Sequence, residues 1–334
     1  MSFECKICGA SECEEILNPR ERMLGLDNEF LYSRCANCGC LQIANPPEDL
    51  GRFYNYGYYA FSGTESYSQD RFPFRRKHLY FHITAARLGW PSHIGRFLHK
   101  FGSGPFIPSS LGMLCLPLKR NAKILDVGCG NGRELFLLRD CGFRSLLGID
   151  PFLPCEGYSF SDITISKMGL DGVCGKFDLI MFHHVLEHIP DQLETLICAK
   201  KLLSNQGQIL IRIPLSDSEV AKTYGKDWVQ LDAPRHFFLH TKKSLALLSA
   251  KAGLRVAKTV YDSEKFQFIG SELYRRSNMS LNELYSDFGK NFPKVFAPGE
   301  LDLFEEHAKG LNASGKGDQA GFCLMAVSYT HLTL

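Results

Sequence analysis

The sequence predicts an α/β fold with a parallel sheet, preceded by a small cysteine-rich module and a helical segment. Two observations carry this prediction. From Ala122 onward, short apolar runs that suit strands alternate with longer runs whose apolar residues recur at helical spacing, a pattern typical of parallel strands joined by helices. Near the N-terminus, two Cys-x-x-Cys-Gly motifs indicate a separate unit, because such paired turns can share one metal ion.

Composition limits the classes of protein and partner. The 334 residues contain 45% hydrophobic and 22% charged residues, which is typical of a globular chain of about two domains. Lys and Arg number 38 against 36 Asp and Glu, a net charge of +2. So small an excess predicts no polyanionic partner, and we expect no nucleic acid. The chain shows no signal peptide and no apolar run of membrane-spanning length, so a cytoplasmic location is predicted.

The N-terminal module, residues 1–49, contains two half-sites, Cys5-x-x-Cys8-Gly and Cys35-x-x-Cys38-Gly. Each turn can place two thiolates on one metal ion, and the glycine permits a tight backbone. Four cysteines complete a tetrahedral zinc site with no open position, so the metal is expected to stabilise the fold and not to perform chemistry. Cys40 is the alternative ligand, because it closely follows the second turn.

Residues 50–121 are predicted to form a helical cap and linker over the binding edge of the following domain. Tyr54, Tyr56, Tyr58, Tyr59 and Phe61 crowd the start of this segment. Such a cluster can line a pocket for the acceptor, although core packing is the more common role of neighbouring tyrosines. The main domain is assigned to residues 122–326. The last eight residues, 327–334, resemble translated sequencing-adapter DNA and are treated as a non-native tail.

A glycine-rich turn follows the first predicted strand, Lys123–Val127. It reads Gly128-Cys-Gly130-Asn131-Gly132 and leads into a helix predicted over Asn131–Cys141. Glycines allow close approach of a ligand to the backbone, and a helix N-terminus offers free amides to a carboxylate. We therefore expect Gly128, Gly130, Asn131 and Gly132 to contact a cofactor.

Two acidic residues distinguish the cofactor. Asp126 stands at the end of the first strand, and Asp150 ends the second, Leu146–Ile149. An acid at the second position can accept both hydroxyls of a ribose. A nicotinamide dinucleotide turn reads G-x-G-x-x-G, whereas this turn reads G-x-G-x-G. Asp126 would repel a pyrophosphate but favours an ammonium group, so the turn predicts S-adenosylmethionine.

Three segments, 124–132, 148–150 and 177–191, resemble successive motifs of class I S-adenosylmethionine-dependent methyltransferases. The resemblance covers roughly residues 120–262 and implies a seven-stranded, Rossmann-like methyltransferase sheet. Together with a zinc-ribbon module, the domain is similar to bacterial sugar C-methyltransferases and polysaccharide-associated methyltransferases. By position, the resemblance assigns Asp126 to the amino group, Gly128 and Gly130 to the methionine moiety, Asp150 to the ribose, and Phe182 and His183 to the methionyl end.

The chain departs from the family pattern after Asp150. About a dozen residues separate it from the next predicted strand, Ile163–Met168, which is too few for a crossover helix. The adenine pocket is therefore less well defined by the sequence. Lys167, Met168 and Gly169, at the end of that strand, are the candidate contacts.

Methyl transfer from a sulfonium is an in-line displacement, so the enzyme must align a nucleophile and remove its proton where needed. Catalytic groups are expected after strands four and five. The loop Asp232-Ala-Pro-Arg235-His236 places an acid, a cation and a titratable base together, and His184 follows strand four. We expect His236 to act as the general base and Arg235 to anchor the acceptor. The alternative is a rigid loop with a buried ion pair.

Three functions fit these motifs. The preferred one is methyl transfer to a sugar or glycan precursor in polysaccharide synthesis. A second is an RNA or protein methyltransferase that uses the zinc module as a reader. Against RNA stand the near-neutral charge and the absence of an Asn-Pro-Pro-Tyr-type motif after strand four. The third is a module that binds the cofactor without catalysis, which the intact acidic residues disfavour.

Overall fold

A computed structural model describes residues 3–54, 74–90, 108–160, 162–286 and 293–327 of the chain. The strands of these residues form two sheets. They are β1 (Cys13–Leu17), β2 (Tyr32–Cys35), β3 (Leu41–Ile43), β4 (Lys123–Val127), β5 (Ser145–Ile149), β6 (Gly157–Ser159), β7 (Ile163–Ser166), β8 (Phe177–His183), β9 (Leu203–Pro214), β10 (Phe238–Leu239), β11 (Leu254–Tyr261) and β12 (Gln319–Ala326).

Helices cover both faces and one end of the larger sheet. They are α1 (Phe74–Leu88), α2 (Ser109–Met113), α3 (Arg133–Asp140), α4 (Gln192–Lys201), α5 (Glu219–Tyr224), α6 (Lys242–Lys251), α7 (Phe266–Arg276), α8 (Leu281–Ser286) and α9 (Glu300–Ala313). None of the described helices has both the length and the apolar character needed to cross a bilayer.

The larger sheet confirms the predicted fold. Its order is β11-β12-β9-β8-β4-β5-β7-β6, and the five strands from β9 to β7 run parallel. Strand β12 lies between β9 and β11 and is antiparallel to both. The chain adds an eighth strand at the edge. Strand β6 forms an antiparallel pair with β7 and occupies the short span after Asp150, where no crossover helix fits.

Burial on both faces explains why the central strands are almost wholly apolar. On β8, Ile180 and Phe182 enter one hydrophobic cluster, whereas Leu179 and Met181 enter the cluster on the opposite face. All four side chains are fully buried. Parallel strands covered by helices on both faces read as continuous hydrophobic runs, as the sequence does here. Ligand-binding residues are therefore expected at the polar carboxyl ends of these strands.

The smaller sheet joins the cysteine module to the rest of the chain. Strands β1, β2 and β3 come from the module, and β10 completes the sheet by antiparallel pairing with β3. Because β10 directly follows the loop that contains His236, the module and that loop share one set of backbone hydrogen bonds. The smaller sheet therefore positions the loop.

Helix α1 packs at the edge of the large sheet opposite to the glycine-rich turn. Phe81 lies beside Gly142, and Trp90 packs edge-on against Phe143 with ring centroids 5.1 Å apart. Trp90 Nε1 also donates to Leu118 O at 2.7 Å. These partners precede β4 and β5, so the predicted position over the binding edge is wrong for this helix. Large aromatic side chains seek an apolar surface, which this edge supplies.

Several predictions for the cap and the tail fall on residues that lie outside the described ranges. They concern Tyr56, Tyr58, Tyr59, Phe61, the helix at 93–100 and residues 328–334.

Candidate active site

The glycine-rich turn has the backbone that the sequence predicts. Gly128, Gly130 and Gly132 have φ of 68°, 50° and 76°, a region that side chains rarely adopt. A Cβ at position 128 would also overlap the side chain of Val185. Glycine is thus required here both for the backbone conformation and for close packing. The turn leads into α3, whose first turn lies beside any ligand held there.

Backbone amides hold Asp150 in place. Its Oδ2 accepts from Gly130 N at 3.1 Å, and its Oδ1 accepts from Phe152 N at 2.9 Å. The carboxyl is 7% exposed. Burial raises the pKa of Asp150, and these two hydrogen bonds act in the opposite direction. The predicted ribose acid is therefore fixed in orientation next to the turn.

Asp126 lies at the end of β4 and is 3% exposed. Burial holds the pKa of this carboxyl well above its usual range, and the negative charges of Glu134 and Asp150 raise it further. Ser110 of α2 donates to Glu134 at 2.5 Å. A group of carboxyls with so little solvent is stabilised by a nearby cation. The ammonium group of a methionine moiety is such a cation.

The other predicted cofactor residues surround the same edge. Tyr158 of β6 donates to Asn131 O at 3.0 Å, and Met168 is half-buried just after β7. Phe182 is fully buried within the core, and His183 follows it at the end of β8. Burial lowers the pKa of His183, whose Nε2 has no hydrogen-bond partner among the described residues.

His184, directly after β8, contacts Arg212, which in turn is paired with Asp262. Its φ is 53°, a strained value for a residue with a side chain. Its Nε2 accepts from Arg212 Nη1 at 3.0 Å, and Arg212 is paired with Asp262 at 2.6 Å. Since Arg212 can only donate, the ring proton of neutral His184 is on Nδ1. That nitrogen lies 3.3 Å from the carboxylate of Glu187.

The rings of His188 and His236 meet edge to face, with centroids 4.6 Å apart. His188 Nδ1 lies 2.9 Å from Arg235 O and 3.1 Å from the Tyr54 hydroxyl. His236 Nδ1 lies 2.7 Å from Gln230 O. Burial lowers the pKa of His188 to about 4, and the positive character of His236 adds to the effect. His188 is therefore neutral near pH 7.

Arg235 is 1% exposed, and its guanidinium is engaged by groups of the protein. Nε donates to both oxygens of Asp232 at 3.0 and 2.9 Å, Nη2 donates to Glu21 at 2.9 Å, and Nη1 donates to Phe53 O at 3.3 Å. Burial raises the pKa of Asp232, but the charge of Arg235 outweighs it and the pKa is lowered. This geometry favours the alternative interpretation of the loop, a rigid segment held by a buried ion pair.

A cavity of about 510 Å³ with apolar and polar lining residues opens beside the carboxyl ends of β8 and β9. His184, Arg212, Phe266, Gln267 and Asp318 are among its lining residues. Both polar atoms of the Gln267 amide are buried without a hydrogen-bond partner among the described residues. Asp318 accepts from Trp228 Nε1 at 2.9 Å, and burial raises the pKa of Asp318 to about 6. The buried amide of Gln267 is therefore an unused hydrogen-bonding group among the residues around the cavity.

The structure brings together the four predicted metal-binding cysteines. Cys5 and Cys38 have sulfurs 3.6 Å apart, those of Cys8 and Cys35 are 3.5 Å apart, and all four lie within 4.8 Å of one another. A tetrahedral zinc ion with Zn–S bonds of about 2.3 Å requires sulfurs about 3.8 Å apart, so the cluster fits zinc. Cys40 is buried outside this group.

The cysteine turns also pack on α6. Thr241 Oγ1 donates to Cys38 O at 2.7 Å, and Lys251 Nζ donates to Ile7 O at 2.6 Å. A Cβ at Gly39 would come within 2.8 Å of Thr241 Cγ2, so the glycine permits this close approach. The second half-site, a candidate ligand pair, is therefore also packed against the large domain.

Sequence reasoning missed several groups of this site. Glu187 lies inside the segment 177–191 that resembles a methyltransferase motif. An acid directly before His188, at the end of an apolar strand, is a pattern that could have singled it out. Glu21, Arg212 and Gln267 gave no such signal, because only the fold brings them to this edge.

Comparison with known proteins shows similarity to methyltransferases over about half of the chain. Residues 107–259 match a family model described as a methyltransferase domain. The tRNA U34 carboxymethyltransferase of Aliarcobacter butzleri is 30% identical over 182 residues, which cover 49% of this chain and 56% of the relative. The tRNA U34 carboxymethyltransferase of Wolinella succinogenes is 29% identical over 171 residues, 46% of this chain and 61% of the relative. The chain thus spans little more than half the length of these relatives.

Among solved structures, a cyclopropane synthase from Mycobacterium tuberculosis is 16% identical, with a TM-score of 0.41, and the match covers 77% of this chain and 99% of that chain. A Burkholderia thailandensis 1,6-didemethyltoxoflavin-N1-methyltransferase with bound S-adenosylhomocysteine is 17% identical, with a TM-score of 0.37, over 70% of this chain and 88% of that chain.

These relatives correct the predicted partner. The expectation of a sugar or glycan acceptor, without nucleic acid and within polysaccharide synthesis, is wrong, since the matching relatives are named as tRNA-modifying enzymes. Net charge misled the prediction because it averages over the whole surface, whereas an acceptor contacts a local cavity. Residues 107–259 are similar to the methyltransferase family that the model describes, and they contain the glycine-rich turn and the parallel strands at the centre of the large sheet.

Proposed function

We propose that the protein transfers a one-carbon group from an S-adenosylmethionine-type donor to a base of an RNA, with tRNA as the substrate class. The observation that carries the proposal is the position of the cavity of about 510 Å³. It lies beside the carboxyl ends of β8 and β9, next to the strand whose end forms the glycine-rich turn. In open α/β sheets, ligands bind at this edge. The names of the relatives supply the substrate class.

On the donor side, we propose that two carboxyls bind two parts of the cofactor. Asp126 pairs with the ammonium group, and Asp150 accepts the ribose hydroxyls. The amides of Gly130 and Phe152 orient the Asp150 carboxyl before a ligand arrives, and Asp126 is buried at the end of β4. The remaining contacts are assigned to the turn and the neighbouring strand ends: Gly128, Gly130, Asn131, Gly132, Met168, Phe182 and His183.

On the acceptor side, we propose that the cavity holds a base turned out of the RNA. Enzymes that modify a base extrude it into a pocket, stack it on an apolar side chain and read its edge by hydrogen bonds. Phe266 offers an aromatic face, and the Gln267 amide offers one donor and one acceptor group. A volume of about 510 Å³ accommodates a nucleoside.

For the chemical step, we propose that His236 removes a proton through Nε2, because its Nδ1 is held by Gln230 O. Asp232 and Arg235 are positioning residues that fix the loop, and Arg235 does not reach the acceptor. His184 lines the cavity and orients the acceptor through the polar chain to Arg212. The sulfonium donor supplies the activated carbon, so the protein's task is alignment and proton removal.

A second candidate for the transferred group is carboxymethyl, the group named for the relatives. A donor with a carboxylate beside its sulfonium needs a cation close to the reacting carbon. Arg212 lines the cavity and donates to His184, so it is placed to supply that charge.

We propose that the cysteine cluster holds a structural zinc ion. The spacing of its four sulfurs and the positive φ of Gly9 and Gly39, 80° and 72°, support this assignment. With four thiolate ligands, the ion would have no open position and would act by stabilising the module.

The proposed reaction can be tested directly. The protein is incubated with unmodified tRNA and either S-adenosylmethionine or its carboxylated analogue, and the tRNA is digested to nucleosides for mass spectrometry. A heavier nucleoside is expected, and the mass of the added group separates methyl from carboxymethyl. Unchanged tRNA from a protein that still binds S-adenosylhomocysteine would overturn the RNA assignment. Transfer to a protein substrate in a parallel reaction would favour the protein-methyltransferase alternative.

Two variants divide the site into its halves. Asp150→Ala should abolish calorimetric binding of S-adenosylhomocysteine, since the ribose loses its acceptor. Gln267→Met should keep that binding and lose RNA modification, because the amide is replaced by an apolar chain of similar length. Unchanged affinity in the first variant, or unchanged modification in the second, would remove that residue from its assigned half.

A further inference from the structure

A cluster of three side chains lies at the end of β8, apart from the cysteine cluster. Glu187 and His188 come from the turn after β8, and His236 comes from the loop before β10. One ligand atom from each lies within 4.8 Å of the others. We propose that these residues form a second metal site, which takes a first-row divalent cation such as iron(II), cobalt(II) or zinc.

The histidines are held in the tautomer that a metal requires. Each Nδ1 lies within hydrogen-bonding distance of a backbone carbonyl, Arg235 O for His188 and Gln230 O for His236. A carbonyl oxygen can only accept, so each Nδ1 carries the proton and each Nε2 keeps a lone pair. Metal-binding histidines characteristically donate their other N–H to a carbonyl or a carboxylate.

Glu187 supplies the second, independent observation. Its side chain is fully buried, yet neither carboxylate oxygen has a hydrogen-bond partner of acceptable geometry among the described residues. His184 Nδ1, 3.3 Å from one oxygen, is a loose neighbour. A buried carboxylate that meets only one loosely placed donor is costly, and a bound cation removes that cost. The carboxylate and the two imidazoles together form a two-histidine, one-carboxylate set.

The backbone brings the ligands together before any ion binds. Phe237 N donates to Glu187 O at 2.8 Å, and His188 Nδ1 lies 2.9 Å from Arg235 O, so the turn and the loop are joined on both sides of the cluster. Metal–nitrogen bonds of about 2.1 Å place ligand atoms about 3–4 Å apart. The observed limit of 4.8 Å requires only a small inward movement of side chains. Asp232 Oδ2, 3.9 Å from His236 Nε2, stands just outside the set.

Three protein ligands leave coordination positions open. A cation here could hold an oxygen of the acceptor and make its proton easier to remove, a role that rests on the proposed function. Binding of the cation uses the same lone pair on His236 Nε2 that a general base would use. The two roles are therefore alternative uses of one atom, and metal content decides between them.

The test measures metal and not activity. The full chain is purified with zinc in the cysteine cluster and dialysed, Co²⁺ is added and followed by calorimetry, and total zinc and cobalt are then counted by plasma mass spectrometry. The wild-type protein should keep its zinc and bind one further equivalent of Co²⁺. Absence of that equivalent, or cobalt gained only as zinc is lost, would overturn the proposal.

Variants locate the cation. Glu187→Gln and His236→Gln should weaken Co²⁺ binding by about tenfold or more, within the range that loss of one ligand or its support produces. His240→Asn is the matched control, since His240 is buried nearby on Ser244 and Gln192 and should leave Co²⁺ binding unchanged. Retained binding of S-adenosylhomocysteine shows that each variant is folded. Full cobalt affinity in Glu187→Gln would exclude the site, while the RNA assay would be unaffected by that outcome.

Discussion

Arg235 donates to Glu21 at 2.9 Å, and both side chains are withdrawn from solvent. The pair joins the loop of the large domain to the N-terminal cysteine module. It lies next to the bidentate contact with Asp232, so one guanidinium fixes two parts of the chain.

Glu21→Gln should destabilise the protein by up to about 3 kcal/mol, because a buried cation loses one of its two anionic partners. Urea unfolding followed by fluorescence measures this change. Glu29→Gln is the matched control in the same module, since its pair with Arg20 is exposed to solvent and should contribute little to stability. Equal losses in the two variants would mean that the buried pair does not fasten the loop.

Gly128→Ala should reduce S-adenosylhomocysteine affinity by about tenfold or more. The substitution combines an unfavourable positive φ, costing about 1–2 kcal/mol, with overlap between the new Cβ and Val185. Gly225→Ala separates the two effects, because its φ is 56° and nothing lies within 4 Å of the added Cβ. Calorimetry should show normal affinity for that control. Similar affinities in both variants would argue against crowding at the turn.

His236→Ala should slow turnover about 100-fold or more, the usual effect of losing a proton-transfer group. Affinity for S-adenosylhomocysteine should stay close to that of the wild type, because the donor residues lie around the glycine-rich turn. Single-turnover assays with tRNA, together with calorimetry, separate the two quantities. A variant with normal rate would remove His236 from the reacting centre.

Stability should fall in acid because of His240. This side chain is fully buried between Ser244 and Gln192, and burial lowers its pKa to about 4. The unfolded chain, with a histidine pKa of about 6.5, binds the proton more readily. The contribution is therefore complete above about pH 6.5 and is lost as the pH falls toward 4, by about 1.4 kcal/mol per pH unit. His188 adds to the same trend.

Urea titrations between pH 7 and pH 4.5 measure this slope. In His240→Asn, the slope should be smaller by roughly the contribution of one histidine, whatever the variant's stability at pH 7. An unchanged slope would show that another group controls acid unfolding.

The donor half of the site could be predicted because its determinants are local. The predicted strand Lys123–Val127 agrees residue for residue with β4, and the glycine turn and Asp150 follow within one strand–helix–strand unit. A glycine with positive φ and an acid at a strand end are properties of a few adjacent residues, which a sequence displays directly.

The acceptor half depends on contacts between distant parts of the chain. Glu21 contacts Arg235, which is 214 positions away along the chain. Gln267 reaches the cavity from α7, which follows β11. No local pattern encodes such pairings. The same limit applies to the position of α1. The sequence does not show that Trp90, just after this helix, packs on Phe143 at the opposite end of the sheet.

The short strand β10 has a consequence for how the chain can be divided. It completes the sheet of the cysteine module, yet it directly follows the loop that contains His236. The cysteine module and the large domain are separate along the sequence, but they share one sheet and are therefore not independent folding units. We expect them to melt in a single cooperative transition and not to be separable by truncation. A homologue that lost the N-terminal module would need another edge to hold this loop, so the module and the loop should be inherited or lost together.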